Sequence, residues 1–343
     1  MQLTGVSVES HSIHGTLAAI IKIEDKMKKI TLTSINNSLY EIDEKYTESY
    51  QGRLLSHYTN MNSLISIIST GYFWASNSMF LNDKSEIIHL KKVIEKNIKR
   101  YFPKEDISEF TKWVMKHFDH VSDKVSKNTF IVSFSTEQDS LPLWSNYSFN
   151  YGCSINLSYN DILSNININT PPLLSNNIRN KKIDKIFIDS GLVIYDNSTK
   201  SKIINEYLKI LYSLLKKIPL KSIEEIKSNE WIIPIIKRIF TRLFMIASLT
   251  KENYFESESE FRFICNVDVE SQSSLLNFRE SNGLIIPYIK MNSLFRNIKL
   301  PIISITLGPR NNAEKAKVGL KKFLNSKGYT NFEILQSKIP LRY

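Results

Sequence analysis

Two periods run through the apolar positions of this 343-residue chain and divide it into strands and helices. Leu54 to Tyr58 is a short apolar-led run that predicts a strand. Asn60 then caps a helix whose Met61, Leu64, Ile65 and Ile68 lie at helical spacing, and Gly71 supplies its stop. Tyr72 to Ala75 is a short extended piece. From Lys84 to about Tyr101 the helical period returns with Ile87, Leu90, Ile94 and Ile98, until Pro103 interrupts it. A further helix, about 105–120, carries Ile107, Phe110, Val114 and Phe118. Thr129 to Thr136 alternates Phe130, Val132 and Phe134 with Ile131, Ser133 and Ser135, which predicts a strand. Leu143 to Tyr147 begins a bend, and Tyr151 to Leu157 is the next strand.

Beyond an Asn-, Ser- and Pro-rich loop at about 160–182, Ile188 to Tyr195 is extended. Two long helical patterns follow at about 199–217 and 222–250, the second interrupted near Pro234. Strands are expected at 256–264, 283–290, 301–307 and 331–336, with a helix at about 312–326. Residues 1–50, with candidate strands at Ala18–Ile23 and Lys29–Leu32, read as an N-terminal preface. Residues 51–343 read as a single domain with an all-helical insertion at about 199–250. Strands and helices alternate without regular βαβ pacing, so the expected class is α+β, with helices segregated from a mainly antiparallel or mixed sheet.

Composition changes this picture little. Hydrophobic residues make up 42% of the chain and charged residues 23%, ordinary values for a folded domain. The N-terminal Met1-Gln2-Leu3-Thr4-Gly5 is not a basic segment leading into an apolar one, and runs such as Trp231 to Ile236 are too short to span a membrane. Cys153 and Cys265 alone make neither a disulfide framework nor a thiolate metal site. The expectation is a cytoplasmic protein with no membrane partner. A formal charge of +11 permits contact with nucleic acid or another polyanion. The lysines are spread along helices, however, and no run interleaves them with aromatic residues as a single-strand stacking groove does.

The densest chemistry lies in Glu256-Ser257-Glu258-Ser259-Glu260-Phe261-Arg262-Phe263-Ile264. As a strand it places Glu258, Glu260 and Arg262 on one face and Phe261 and Phe263 on the other. Carboxylates on a buried strand need partners or a use. The pattern fits an edge strand with a solvated charge ladder as well as a pocket whose Glu meets developing positive charge or sugar hydroxyls, with Arg262 holding it. In His57-Tyr58-Thr59, His57 and Thr59 share a face, with Tyr58 opposite. His57 there is either a core histidine bonded to backbone or a donor to a ribose hydroxyl or carbonyl. Ser133 and Ser135 share a strand face and are able to brace a carboxylate or ligand. Trp144, Tyr147 and Tyr151 offer flat surfaces for a base, or else fill core and rim. Gly-rich phosphate loops and Gly-x-Ser-x-Gly are absent. His117 and His120 lack the Cys or carboxylate pattern of a metal site, so no metal is expected.

In this order and spacing, the blocks His57-Tyr58-Thr59 to Glu86, Ser133-Phe134-Ser135 to Gly152, Glu258 to Arg262, and Thr306-Leu307-Gly308-Pro309 resemble the bacterial domain-of-unknown-function 2971 family over about residues 52–325. The first block also contains Leu64, Ile68, Gly71, Trp74, Ser76 and Leu81-Asn82-Asp83. That family's motif order is in turn similar to the ADP-ribosyltransferase superfamily. The likeness implies a split sheet of ADP-ribosyltransferase type with peripheral helices and NAD as substrate. His57 would contact a ribose hydroxyl and Glu260, or else Glu258, the nicotinamide ribose. The aromatic against nicotinamide would be Tyr72, Trp144 or Tyr147, with Arg262 restraining Glu260 or meeting the pyrophosphate. The function implied is transfer of ADP-ribose to nucleic acid or protein, or NAD hydrolysis, as a toxin or phage-defence effector. The alternative is a nucleotide- or nucleic-acid-binding module without NAD chemistry.

Overall fold

The computed structural model describes residues 33–42, 45–46, 50, 54–81, 90–97, 107–148, 151–165, 186–217, 232–281, 283–291, 299–311 and 313–340. The expected strands at Ala18–Ile23 and Lys29–Leu32, the motif residues Asn82, Asp83 and Glu86, and most of the loop at 160–182 lie outside them.

The ten strands among these residues are β1 (Leu54–Thr59), β2 (Trp74–Asn77), β3 (Thr129–Ser135), β4 (Cys153–Ser158), β5 (Ile186–Leu192), β6 (Glu260–Val267), β7 (Asn277–Ser281), β8 (Leu284–Lys290), β9 (Ile302–Leu307) and β10 (Glu333–Gln336). They form one sheet of order β10-β9-β4-β1-β3-β2-β8-β7, with β6 paired to both β3 and β5. Only β9 and β10 run parallel; the other pairings are antiparallel. The fold is therefore α+β with a mixed, largely antiparallel open sheet.

The helices α1 (Met61–Thr70), α2 (Ile107–Asn128), α3 (Leu141–Ser148), α4 (Tyr159–Asn165), α5 (Asn197–Lys217), α6 (Ile232–Ala247) and α7 (Ala313–Ser326) cover the two faces. Helix α1 starts where the Asn60 side chain accepts from the Ser63 N–H, and ends at Gly71 with a left-handed φ of 74°. One face carries Phe130, Val132, Phe134, Phe261 and Phe263, packed with Leu64 and Ile68 of α1, Ile162 of α4, and Leu320 and Leu324 of α7. The other carries Ile131 and Ile264 beneath α2, α5 and α6. Helix α6 is amphipathic: Ile232, Ile235, Ile236, Ile239, Phe240 and Leu243 are buried in this layer, and Lys237, Arg238 and Thr241 lie on its less buried side. The residues expected to be a helical insertion thus supply more than half of the buried residues of this second cluster. Ile35, Leu39 and Ile42, from a helical stretch of the N-terminal preface, are buried in the same cluster.

Several local expectations change. Leu143 to Tyr147 is helix rather than bend, and Tyr159–Asn165 is helix rather than loop. Strand β7 escaped the pattern because Phe278 is its only apolar residue, as suits a strand at the sheet's edge. The strand expected from Glu256 begins at Glu260. Residues Asn253–Glu258 form a 3-10 helix that ends at Ser259, whose φ of 43° turns the chain sharply into β6. Among the described residues no helix is long and apolar enough to cross a membrane.

Candidate functional site

Strand β3 organises the site because it is flanked unevenly. Along one edge it pairs with β6 over its whole length, from Thr129↔Asn266 to Ser135↔Glu260. Along the other, β1 meets it at Ser135 and β2 at Ile131 and Phe130. Between those contacts the edge is open, and a buried backbone carbonyl there needs another partner. His57 supplies it: Nδ1 lies 3.0 Å from the Ser133 carbonyl, which marks Nδ1 as the N–H donor. The imidazole packs edge-on against Phe73 and tilted against Phe134. Burial holds it below the ordinary histidine pKa, and the bond to Ser133 opposes this only in part.

Alternation then sorts the side chains. Ser133 lies opposite Arg262, Ser135 opposite Glu260 and Ser56 opposite Ser135, so these side chains share one face. Ser76 of β2 lies opposite Ile131 and joins the same face, with Trp74 two residues before it. His57 belongs to the other face, with Phe134, and meets the cleft only at the fork. A cleft of about 1060 Å³ runs over the shared face, and its lining includes His57, Tyr58, Thr59, Ser133, Ser135, Tyr147, Glu258, Glu260 and Arg262. The end of α6 and the residues after it, Phe244, Ala247, Ser248 and Lys251, form part of its wall.

On the cleft floor sits a charge quartet. Arg262 donates from Nε to Glu260 Oε1 at 2.9 Å and from a terminal nitrogen to Oε2 at 3.0 Å, a bidentate pair. Its other terminal nitrogen donates to the Ser248 carbonyl at 2.8 Å. Lys251 Nζ lies 2.6 Å from Glu258 Oε2 and 3.3 Å from Glu260 Oε2. All four side chains are under 10% exposed. Burial alone would raise the Glu260 pKa; the Arg262 guanidinium, Lys251 and a hydrogen bond from the Ser133 hydroxyl outweigh it and hold the carboxyl below its usual range. Arg262 and Lys251 supply three donors to the roughly four lone-pair sites of this carboxylate. Glu258 is less engaged: among the described residues its carboxylate accepts, besides Lys251, only from the Tyr147 hydroxyl, shared between its two oxygens at 3.1 Å each.

The backbone around the quartet is itself pinned. The Glu258 carbonyl accepts from the Ser135 hydroxyl at 2.7 Å, and the Tyr195 hydroxyl accepts from the Glu260 N–H at 2.9 Å. Lys200, buried on α5, donates to the Lys251 carbonyl at 2.6 Å. The phenols of Tyr147 and Tyr195 are raised by burial first and the nearby carboxylates second, so both stay protonated.

The sequence-derived candidates divide accordingly. Glu258, expected on the strand beside Glu260, reaches the same face from the preceding 3-10 turn. Trp144 is fully buried, bonds from its indole N–H to Asp139 and packs edge-on against Tyr58. It is a core residue and does not line the cleft. Tyr72 lies outside the cleft lining too, with Lys290 Nζ 5.1 Å from its ring centroid. Tyr58 lines the cleft, but its hydroxyl is committed to the Glu137 carbonyl and the Ser140 N–H. Lys251 carries no signal in the sequence, because the polar Lys251-Glu252-Asn253 comes after α6 without periodicity. Trp74, an exposed aromatic on a four-residue strand, and Arg279 on edge strand β7 also line the cleft.

Other chemistry falls away from the cleft. Burial pushes the Cys153 and Cys265 thiols up to about 12, so neither is a thiolate nucleophile. Among the described residues no three His, Cys, Asp or Glu side chains gather to hold a metal ion. The His117 ring instead stacks on Trp113 and bonds to its carbonyl.

A family model described as "Protein of unknown function (DUF2971)" matches residues 143–263, roughly a third of the chain. The match includes Tyr147, Lys251, Glu258, Glu260 and Arg262 and stops short of His57, Ser133 and Ser135. It supports the resemblance to that family over those residues. No curated protein and no solved structure matches the chain.

Proposed function

We propose that the cleft cleaves NAD, as an ADP-ribosyltransferase-like enzyme or an NAD glycohydrolase. The observation that carries the reading is the quartet: two buried carboxylates, one held ionised by a bidentate arginine, at the floor of a cleft that His57 also borders. Breaking the bond from nicotinamide to ribose builds positive charge on the sugar, as in glycoside hydrolysis. A carboxylate fixed before the reaction and shielded from water stabilises that charge strongly. Glu260 fits this role as a fixed charge, since Arg262 and Lys251 hold it from both oxygens. Glu258 has acceptor capacity to spare and fits the orientation or deprotonation of the attacking nucleophile. That nucleophile is water in hydrolysis and a group on nucleic acid or protein in transfer. The split between β1 and β2 supports the likeness to the ADP-ribosyltransferase sheet, with His57 beside the fork.

The direct test is release of nicotinamide from NAD by purified protein, with and without DNA, RNA or cell lysate. His57→Ala and Glu260→Gln serve as controls. Turnover lost in both variants is the expected result. No turnover under any of these conditions would overturn the reading. A second reading, a nucleotide-binding module without NAD chemistry, draws on the same quartet, because its charges balance among themselves. NAD binding without nicotinamide release would favour it.

A further inference from the structure

The quartet occupies one wing of the cleft, and the other wing has a different character. From β6 the sheet continues through β3, β2 and β8 to β7, and Ser76 on β2, where the Arg279 guanidinium arrives, stands two strand spacings or roughly 10 Å from β6. At the far end Arg279 lies opposite Ile286, and Ser281 opposite Leu284, and all four line the cleft. The Arg279 guanidinium lies 5.9 Å from the Trp74 ring centroid and donates to the Ser76 hydroxyl at 3.2 Å. Its Nε is shielded from solvent and has no hydrogen-bond partner among the described residues. Among the described residues the charged cleft-lining side chains are Lys251, Arg262 and Arg279 against Glu258 and Glu260. The first two cations are paired with the two carboxylates, so the surplus positive charge belongs to Arg279.

A cleft-lining guanidinium that no carboxylate among the described residues neutralises, beside two hydroxyls and an aromatic face, suits an anion. We infer that Arg279, Ser76 and Ser281 hold a phosphoryl group of a nucleotide at the end of the cleft opposite the quartet. Under the NAD reading, on which the ligand's identity rests, the group is the diphosphate. One surplus cation suits one such group, whereas a nucleic-acid groove follows a backbone with several phosphate contacts. The position also makes Arg279 a specificity element, since a nicotinamide riboside without phosphate leaves it unpaired.

The test is a titration read by tryptophan emission, with Trp74→Phe identifying the reporting side chain. The probes are ADP, inorganic pyrophosphate and a single-stranded oligonucleotide at one ionic strength. Wild-type protein should bind ADP and pyrophosphate, and Arg279→Gln should lose at least about tenfold in affinity for both. Arg279→Lys, which keeps the charge without the fork, should fall between them. Ser281→Ala, with a smaller loss, carries the same comparison if Arg279→Gln does not fold. Equal ADP affinity in wild type and Arg279→Gln, or preference for the oligonucleotide, would overturn the inference, as would no ADP binding to the wild type. Nicotinamide release is followed on the same preparations. Arg279-dependent ADP binding without release sinks the NAD reading and leaves the subsite standing. Release with ADP binding indifferent to Arg279 does the reverse.

Discussion

Two polar clusters lie on the same face of one sheet, and they are built on opposite principles. Across β1, β4 and β9, Ser56, Ser154, Asn156, Ser304 and Thr306 are neutral and almost wholly buried. The Asn156 oxygen accepts from Ser56 and Ser154, and its nitrogen donates to Ser304 and Thr306, at 2.8–3.0 Å. Every amide valence is used, and none of these hydrogen bonds leaves the cluster. Such a network fixes the register of three strands, because a one-residue slip would turn its members to the other face. At β3 and β6 the polar groups are charged, they are drawn from a strand, a turn and a loop, and they open on a cleft. Replacing a buried ion pair by apolar side chains is often neutral or stabilising. Packing alone therefore gives little reason for the quartet, whereas the neutral network is accounted for by register. The difference directs the functional reading to the quartet.

Substitutions can break or sharpen that contrast. The largest effect is expected at Glu260→Gln, which should cut nicotinamide release by about 10²–10³-fold. It also leaves Arg262 and Lys251 undercompensated, at a cost of about 3 kcal/mol in urea unfolding. Gly152→Ala should come next. A Cβ there would stand 2.1 Å from the Thr59 carbonyl oxygen and 2.6 Å from Ser148 Cβ, so backbone must move where β1 meets α3. We expect a loss of about 3 kcal/mol by denaturation. Asn156→Ala strands four hydroxyl partners and should cost about 2–3 kcal/mol, with an unchanged KM for NAD in the protein that remains folded. If it alters KM instead, the division between a register network and a functional quartet is wrong.

His57 makes a pH test. Its folded-state pKa lies below the unfolded value of about 6.5, so the unfolded chain binds the extra proton first. Stability from this group is fully present above pH of about 6.5 and falls as pH drops from there towards the folded pKa. His57→Asn should flatten that part of the stability curve, as read by thermal unfolding in a series of buffers that starts at about pH 6.5 and goes down. Glu260 acts at lower pH: its depressed pKa gives stability present above about 4.5 and lost as pH falls through the folded value. The smallest change is expected for Tyr147→Phe. It removes one donor to Glu258, at about 0.5–1.5 kcal/mol, with a modest loss of turnover.

Much of this arrangement was legible in the chain because β-strand alternation is local. The facing of Ser133 with Ser135, and of Glu260 with Arg262, follows from period two alone, and both pairs face the cleft. Alternation also places His57 and Tyr58 on opposite faces, as found, but the fork that lets His57 border the cleft is a tertiary feature. Glu258 illustrates a different limit. Its charge stands out in the sequence, yet the chain leaves extended conformation at Ser259, and only the fold returns the side chain to the neighbourhood of Glu260. Lys251 and Arg279 had no periodic signal. One follows a helix in a polar stretch, and the other lies on an edge strand with a single apolar residue. Trp144 shows the converse, an aromatic suited by type to stacking whose indole is consumed by Asp139 in the core.

The central claim is that the buried carboxylates act on NAD, and nicotinamide release by wild-type, Glu258→Gln and Glu260→Gln proteins tests it most directly. Turnover by the wild type, reduced in both variants and most in Glu260→Gln, is the predicted result. A wild type that releases no nicotinamide with DNA, RNA or lysate present, or variants as active as the wild type, would contradict it.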